Sequence, residues 1–224
     1  MDRWATLDCY GTLIDWNGGI GRELERLFGV EHVARLLHGY HEVEQQLQRE
    51  QPEASYREVL TVALSRLAEL EDVPLANDEH DALARSLPTW KPFPEVREAL
   101  EDARARGWKL AILSNTDRDY IEASLEQIGV PFELAIVASE IGSYKPRRKH
   151  WETFERQTGV PHSSYVHVAA SLYHDIAPAT ELGLPTVWIN RLGEHPKPHP
   201  DVELHSLAGL GAALDSLVSG TPGT

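Results

Sequence analysis

The sequence predicts an α/β fold, with a parallel sheet covered by helices on both faces and a helical lobe inserted after the first strand. Three observations carry that expectation. From Pro94 onward, short apolar runs alternate with stretches whose apolar residues recur at helical spacing. A glycine follows nearly every helical stretch, at Gly107, Gly129, Gly159 and Gly183, where a helix commonly stops. Between about Ile20 and Ser86, in contrast, no convincing strand interrupts the helical periodicity.

Taken in order, the first strand is the apolar run that ends in Thr6-Leu7 and delivers a carboxylate, Asp8. Gly11 then permits a tight turn that a Cβ would resist, and Thr12 supplies a hydroxyl facing the same place. Leu24, Leu27 and Phe28 form one helical stripe closed by Gly29. A second helix begins at Val33, Leu36 and Leu37 and runs through Tyr40 and His41 toward Leu47. Leu60, Val62, Leu64 and Leu67 mark a third, and Leu83 a short fourth. The proline-bearing loop from Thr89 to Pro94 returns the chain to the sheet. Helices follow on Val96, Leu100 and Ala103, on Ile121, Leu125 and Ile128, on Trp151 and Phe154, and from Ala177 to Leu182. Between them the strands are Lys109–Leu113, Leu134–Val137, Val166–Ala170 and Thr186–Ile189. The expected division is a core of residues 1–14 and 94–224 with a helical insert of residues 15–93. Parallel sheets of this kind bind ligands at the carboxyl ends of their strands, which is where Asp8 sits.

At 224 residues the chain is long enough to bury about 70% of its unfolded surface. A formal net charge of −14 argues against nucleic acid as a partner, since nothing basic is available to neutralise phosphates. No apolar stretch approaches the roughly 18 residues of a membrane helix, and no signal peptide opens the chain. The single cysteine, Cys9, excludes an internal disulfide and fits a reducing cytoplasm. Strand alternation points Cys9 away from the face Asp8 uses, so it reads as a small buried residue rather than a thiol nucleophile. The expected partner is a small anionic substrate, and a homodimer is left open.

Three further groups lie just past apolar strands: Ser114-Asn115, Lys145-Pro146 and Ser171-Leu172-Tyr173-His174-Asp175. A carboxylate is a weak nucleophile unless it is held ionised and aimed. Lys145 beside Asp8 is expected to keep that carboxyl charged and lower its pKa. Ser114, Thr12, Lys145 and nearby backbone N–H groups are expected to hold a substrate anion. Asp175 is left to orient or deprotonate a water.

With Asp8-x-x-Gly11-Thr12-Leu13 first, this ordered set resembles the four motifs of the haloacid dehalogenase superfamily. The resemblance covers nearly the whole chain, the helical insert matching that family's cap. It implies a Rossmann-like core, Asp8 as nucleophile, and Thr12, Ser114, Asn115, Lys145 and Asp175 as its catalytic companions. Phosphatases of the superfamily place a second Asp where this chain has Tyr10, and a metal-binding Asp where it has Ala170. The expectation is therefore a cofactor-free, metal-independent hydrolase that forms an aspartyl ester. Mg2+ belongs only to an alternative reading as a phosphatase, and a silent anion- or protein-binding fold is a third reading.

The form around Tyr10, the Lys109-to-Asn115 strand and the Leu184–Arg191 stretch resemble the (S)-2-haloacid dehalogenase branch. That branch uses a cap arginine for the halide, whereas the corresponding helix reads Gly39-Tyr40-His41-Glu42, with Arg49 about two turns further on. The substrate-facing set is expected to be Tyr10, Leu13, Trp16, Tyr40, His41 and Trp151. His174 reads as a neighbour of Asp175 pointing elsewhere, and His195, His199 and His205 as surface residues.

Overall fold

The computed structural model describes residues 2–218. Six parallel strands run in the order β3-β2-β1-β4-β5-β6. They are β1 Arg3–Leu7, β2 Trp108–Ser114, β3 Leu134–Val137, β4 Tyr165–Ala169, β5 Thr186–Ile189 and β6 Val202–Leu204. β1 lies between β2 and β4, the place where the strand order reverses and a crevice opens at the carboxyl ends. Leu7 pairs with Ile112 on one side and Val168 on the other. That register brings Asp8, Ser114 and Ala170 to one end of the sheet. β1, β2, β4 and β5 are buried on both faces, which is why they read as continuous apolar runs.

Between β1 and the return to the sheet lie α1 Trp16–Phe28, α2 Val33–Glu50, α3 Tyr56–Leu70 and α4 Ala82–Ser86. They pack in succession on one another. Asp15 caps α1 by accepting from Gly18 N at 2.9 Å, and Ser55 with Glu58 closes a capping box on α3. Gly19 is required on α1, because a Cβ there would lie 2.4 Å from the Trp90 ring. On α3 the buried face is Val59, Leu60, Ala63, Leu64 and Leu67, spaced for one side of a helix. Val62, expected on that stripe, is instead exposed on the opposite side.

Beyond Pro94 the helices are α5 Val96–Ala105, α6 Arg118–Ile128, α7 Ala138–Ile141, α8 Lys149–Thr158, α9 Ala177–Glu181 and α10 Leu210–Leu217. A π-helical turn, Leu172–Ile176, precedes α9. β6, α7, α10 and this turn have no counterpart in the sequence reading. β6 is a three-residue strand inside a stretch rich in Pro and His, too short to show a period.

Candidate active site

The strand ends hold the charged groups. Asp8 follows β1 directly and its N–H donates to Val168 O at 3.0 Å, which extends the ladder one residue past the strand. Gly11 at φ +87° turns the chain back, a conformation that favours glycine. Thr12 Oγ1 then donates to Asp8 Oδ2 at 2.7 Å and accepts from Ala170 N at 2.9 Å. Lys145 Nζ donates to Asp8 Oδ1 at 2.9 Å, to Asp175 Oδ1 at 2.6 Å and to Leu113 O at 2.7 Å. Those three bonds use all of its protons. Asn115 fixes the segment that carries Lys145, accepting from Lys145 N at 2.6 Å and donating to Lys145 O at 3.0 Å.

Asp8 is only 7% exposed. Burial pushes its carboxyl above the usual carboxylate value. Lys145 pulls it back, but the neighbouring Asp175 charge competes for the same ammonium. The expected depression of Asp8 falls on Asp175 instead. Burial works against Asp175 too, yet Lys145 and a bond from His167 Nε2 at 3.0 Å hold it far below the carboxylate range. His167, on β4, also meets Thr6 Oγ1 at 3.0 Å through Nδ1. The ring thus bridges Asp175 and Thr6, whose hydroxyl also lies 3.3 Å from Val166 O.

A cavity of about 500 Å³ opens above this cluster. Its strand-end wall includes Asp8, Tyr10, Ser114, Asn115, Lys145 and Asp175, and its helical wall Trp16, His41, Glu44, Gln48 and Tyr56. The Ser114 hydroxyl is buried and has no hydrogen-bond partner. Trp16 Nε1 donates to Tyr56 OH at 3.1 Å, and Tyr56 OH donates to Glu44 Oε1 at 2.7 Å. Gln48 Nε2 also donates to Glu44 Oε1, at 3.3 Å, and Gln48 Oε1 lies 3.4 Å from Asn115 Nδ2. Asp117, beyond β2, accepts from Tyr56 N and Arg57 N at 2.9 Å each and so caps α3 from the sheet side.

Several expected placements are corrected. Leu13, Tyr40 and Trp151 are fully buried and are not on the cavity wall. Leu13 packs in the main core and Trp151 sits under the sheet against His167, with ring centroids 5.2 Å apart. Tyr40 stands behind Trp16, 6.0 Å between centroids, with its hydroxyl unpartnered. Its place on α2 turns it toward the apolar stripe of Leu36, Val43 and Leu47. Lys145 and Thr12 have no proton left for a substrate anion, which leaves Ser114. His174 does face the cavity, its imidazole pushed down to about 4 by burial. Tyr10, Trp16 and His41 line the cavity, with the Tyr10 hydroxyl turned to Ser124 Oγ at 3.0 Å.

Glu44, Gln48, Tyr56, Asp117, His167 and Arg191 were not picked out from the sequence. A signal existed for two of them: His41, Glu44, Gln45 and Gln48 recur at i, i+3, i+4 and i+7, a polar stripe on one face of α2. Arg191 reaches Thr12 O and Glu95 at 2.8 Å each and stacks on Phe93, 3.6 Å from the ring centroid.

The donor set does not suit Mg2+. Ala170 offers no carboxylate, Tyr10 turns its hydroxyl away, and the Lys145 ammonium takes an oxygen of both Asp8 and Asp175. Among the described residues no cluster of three or more His, Cys, Asp or Glu is placed to hold a metal ion. No helix among them is long and apolar enough to cross a membrane.

An (S)-2-haloacid dehalogenase from Pseudomonas sp. is 34% identical over 124 residues, covering 53% of this chain and 53% of that protein. A haloacetate dehalogenase from Moraxella sp. is 38% identical over 105 residues, 46% of each. The chain thus spans about half the length of these curated relatives. The solved structure of an L-2-haloacid dehalogenase from Xanthobacter autotrophicus, with chloropropionic acid covalently bound, superimposes with a TM-score of 0.84. It is 16% identical and covers 97% of this chain and 100% of the other, a likeness of fold. Residues 3–183 match the haloacid dehalogenase-like hydrolases as a family, and the chain belongs to that family.

Proposed function

We propose that the protein hydrolyses the carbon–halogen bond of small 2-haloacids through an ester on Asp8, without a metal. The observation that carries this reading is the arrangement of Asp8, whose two oxygens are fixed by Lys145 and Thr12 at the floor of a cavity. A carboxylate oxygen of Asp8 attacks C2, and the C–halogen electron pair leaves with the halide, inverting C2. Ser114 and the backbone beyond Tyr10 receive the substrate carboxylate. Water then attacks the ester carbonyl, one of its protons passing to the departing oxygen of the 2-hydroxy acid and the other to solvent, and Asp8 is restored as the carboxylate. Asp175 Oδ2 carries no protein hydrogen bond among the described residues, so it is available to orient that water. The low pKa of Asp175 makes it a weak base, which favours orientation over deprotonation.

In this reading residues 15–93 act as a cap over a core of residues 1–14 and 94–224, and Trp16, His41 and Tyr10 form the wall around the substrate. The relatives' names, the cavity and the commitment of both aspartates to Lys145 support it. The buried single cysteine supports a cytoplasmic setting. The test is a panel of 2-haloacids and phosphoesters assayed with and without EDTA. Halide release that survives EDTA is expected. Phosphate release that is lost in EDTA and restored by Mg2+ would replace this reading with the phosphatase one.

A further inference from the structure

We propose that Glu44, on the helical wall of the cavity, carries an acid proton and donates it in a hydrogen bond to the departing halide. The inference rests on the displacement by Asp8 proposed above and assigns its leaving-group site.

A halide leaving carbon gains a full negative charge and needs a donor in a site closed to bulk water. The strand-end wall has few to give, because Lys145 and Thr12 spend their protons on Asp8, Asp175 and Leu113 O. Arg191 also borders the cavity; its Nη2 is held by Thr12 O and Glu95 and its guanidinium lies over Phe93, while its buried Nε has no partner. On the helical wall, the Tyr56 phenol proton is committed to Glu44 Oε1, which Gln48 also contacts. Glu44 Oε2 has no protein hydrogen bond among the described residues, and Glu44 lines the cavity. Glu44 thus presents an unengaged oxygen to the cavity, beside the His41 imidazole, which makes only a ring contact with Trp16 among the described residues.

The groups facing Glu44 are Tyr40 and His41 on α2, Tyr56 on α3 and Tyr144 from the loop before Lys145. None of the tyrosines is a cation, and burial holds the His41 imidazole down toward its neutral form. No salt bridge reaches Glu44 among the described residues. Burial raises its carboxyl to about 7, with the Tyr56 bond opposing. Below that pH the wall offers an O–H donor, and above it a carboxylate that repels the leaving anion. The proton stays on Glu44 throughout, since a halide is too weak a base to take it. The negative charge moves from Asp8, which becomes a neutral ester, to the halide.

The test is single-turnover halide release from 2-chloropropionate between about pH 6 and about pH 9, in the wild type and in Glu44→Gln. In the wild type the rate is expected to fall about tenfold per pH unit above the Glu44 transition. Glu44→Gln keeps an N–H donor that cannot ionise, so it should be slower and lose that decline. A decline that persists in Glu44→Gln overturns the assignment. Bromide binding, read by intrinsic fluorescence with Trp16→Phe as the subtraction control, tests the same site without turnover or a folded Glu44→Gln. Its Kd in the wild type should weaken about tenfold from about pH 6 to about pH 8. An equal Kd at both pH values sinks the proposal. Bromide binding with this pH dependence, but no haloacid turned over, would keep the Glu44 site and reject the substrate reading.

Discussion

The strand-end wall and the helical wall of the cavity handle buried polar groups in different ways. At the strand ends one ammonium is shared by two carboxylates and a carbonyl, so that each of its three protons has an acceptor. On the helices a chain from Trp16 through Tyr56, Glu44 and Gln48 to Asn115 contains no cation, and one carboxyl oxygen is left over. The first arrangement fixes charge before substrate arrives, as an activated nucleophile requires. The second keeps a neutral lining whose protonation can change. The difference separates chemistry from leaving-group recognition: damage to the first wall should abolish the reaction, and damage to the second should retune it.

The largest effect is expected from Asp8→Asn, which should lower halide release by on the order of a thousandfold or more. The near-isosteric amide removes a buried negative charge, so the urea midpoint should move little. Turnover within tenfold of wild type, with deamidation excluded by mass spectrometry, would erase the contrast between the walls. Next, Lys145→Met leaves two buried carboxylates facing each other and should cost about 3–5 kcal/mol of unfolding free energy. Adding Asp8→Asn to it should recover part of that loss, because only one anion then remains. Strict additivity would mean the three groups are not one unit.

The acid side of the pH profile comes next. Ionised Asp8 is the nucleophile and its pKa is raised, so activity should decline on acidification well before the ordinary carboxylate value of 3.8 is reached. Asp175 has the opposite sign. Its folded pKa is depressed, so the stability it contributes is complete above the unfolded carboxylate value and is lost as pH falls below it. Activity should therefore disappear at a higher pH than the fold does, read by assay and circular dichroism on the same samples. The smallest effect is expected from Asp117→Ala, which frees the Tyr56 and Arg57 N–H groups at the start of α3. It should cost about 1 kcal/mol and raise KM more than it lowers kcat, since it loosens only the helical wall. A fall in kcat alone would place Asp117 with the strand-end machinery.

The two walls also differ in how far the sequence discloses them. Asp8 follows β1, Ser114 ends β2, and Lys145 and Asp175 lie a short way beyond β3 and β4; parallel strands deliver their ends to one place by construction. The helical wall depends on which way each helix is rotated, which spacing alone leaves ambiguous for aromatic residues. Tyr40 and Tyr56 illustrate this, one turned into the packing behind Trp16 and the other into the cavity. Trp151 misleads for the same reason, its helix lying beneath the sheet rather than over the site. His167 was hidden inside an apolar strand, where alternation gives no reason to expect an ionisable residue bonded to Asp175. The raised Asp8 pKa could not be read either, because it depends on burial and on Asp175 sharing the same ammonium.

The central claim, that the Asp8 carboxylate rather than water attacks carbon, is tested most directly by one turnover of enzyme in excess over a 2-haloacid in heavy-oxygen water. Attack by water on the ester carbonyl leaves the new C–O bond intact, so the first product should carry light oxygen in its hydroxyl group. The label should appear instead in the peptide that contains Asp8, and enter product only in later turnovers. Heavy oxygen in the hydroxyl group of the first product, with the Asp8 peptide unlabelled, would mean direct hydrolysis and contradict the ester mechanism.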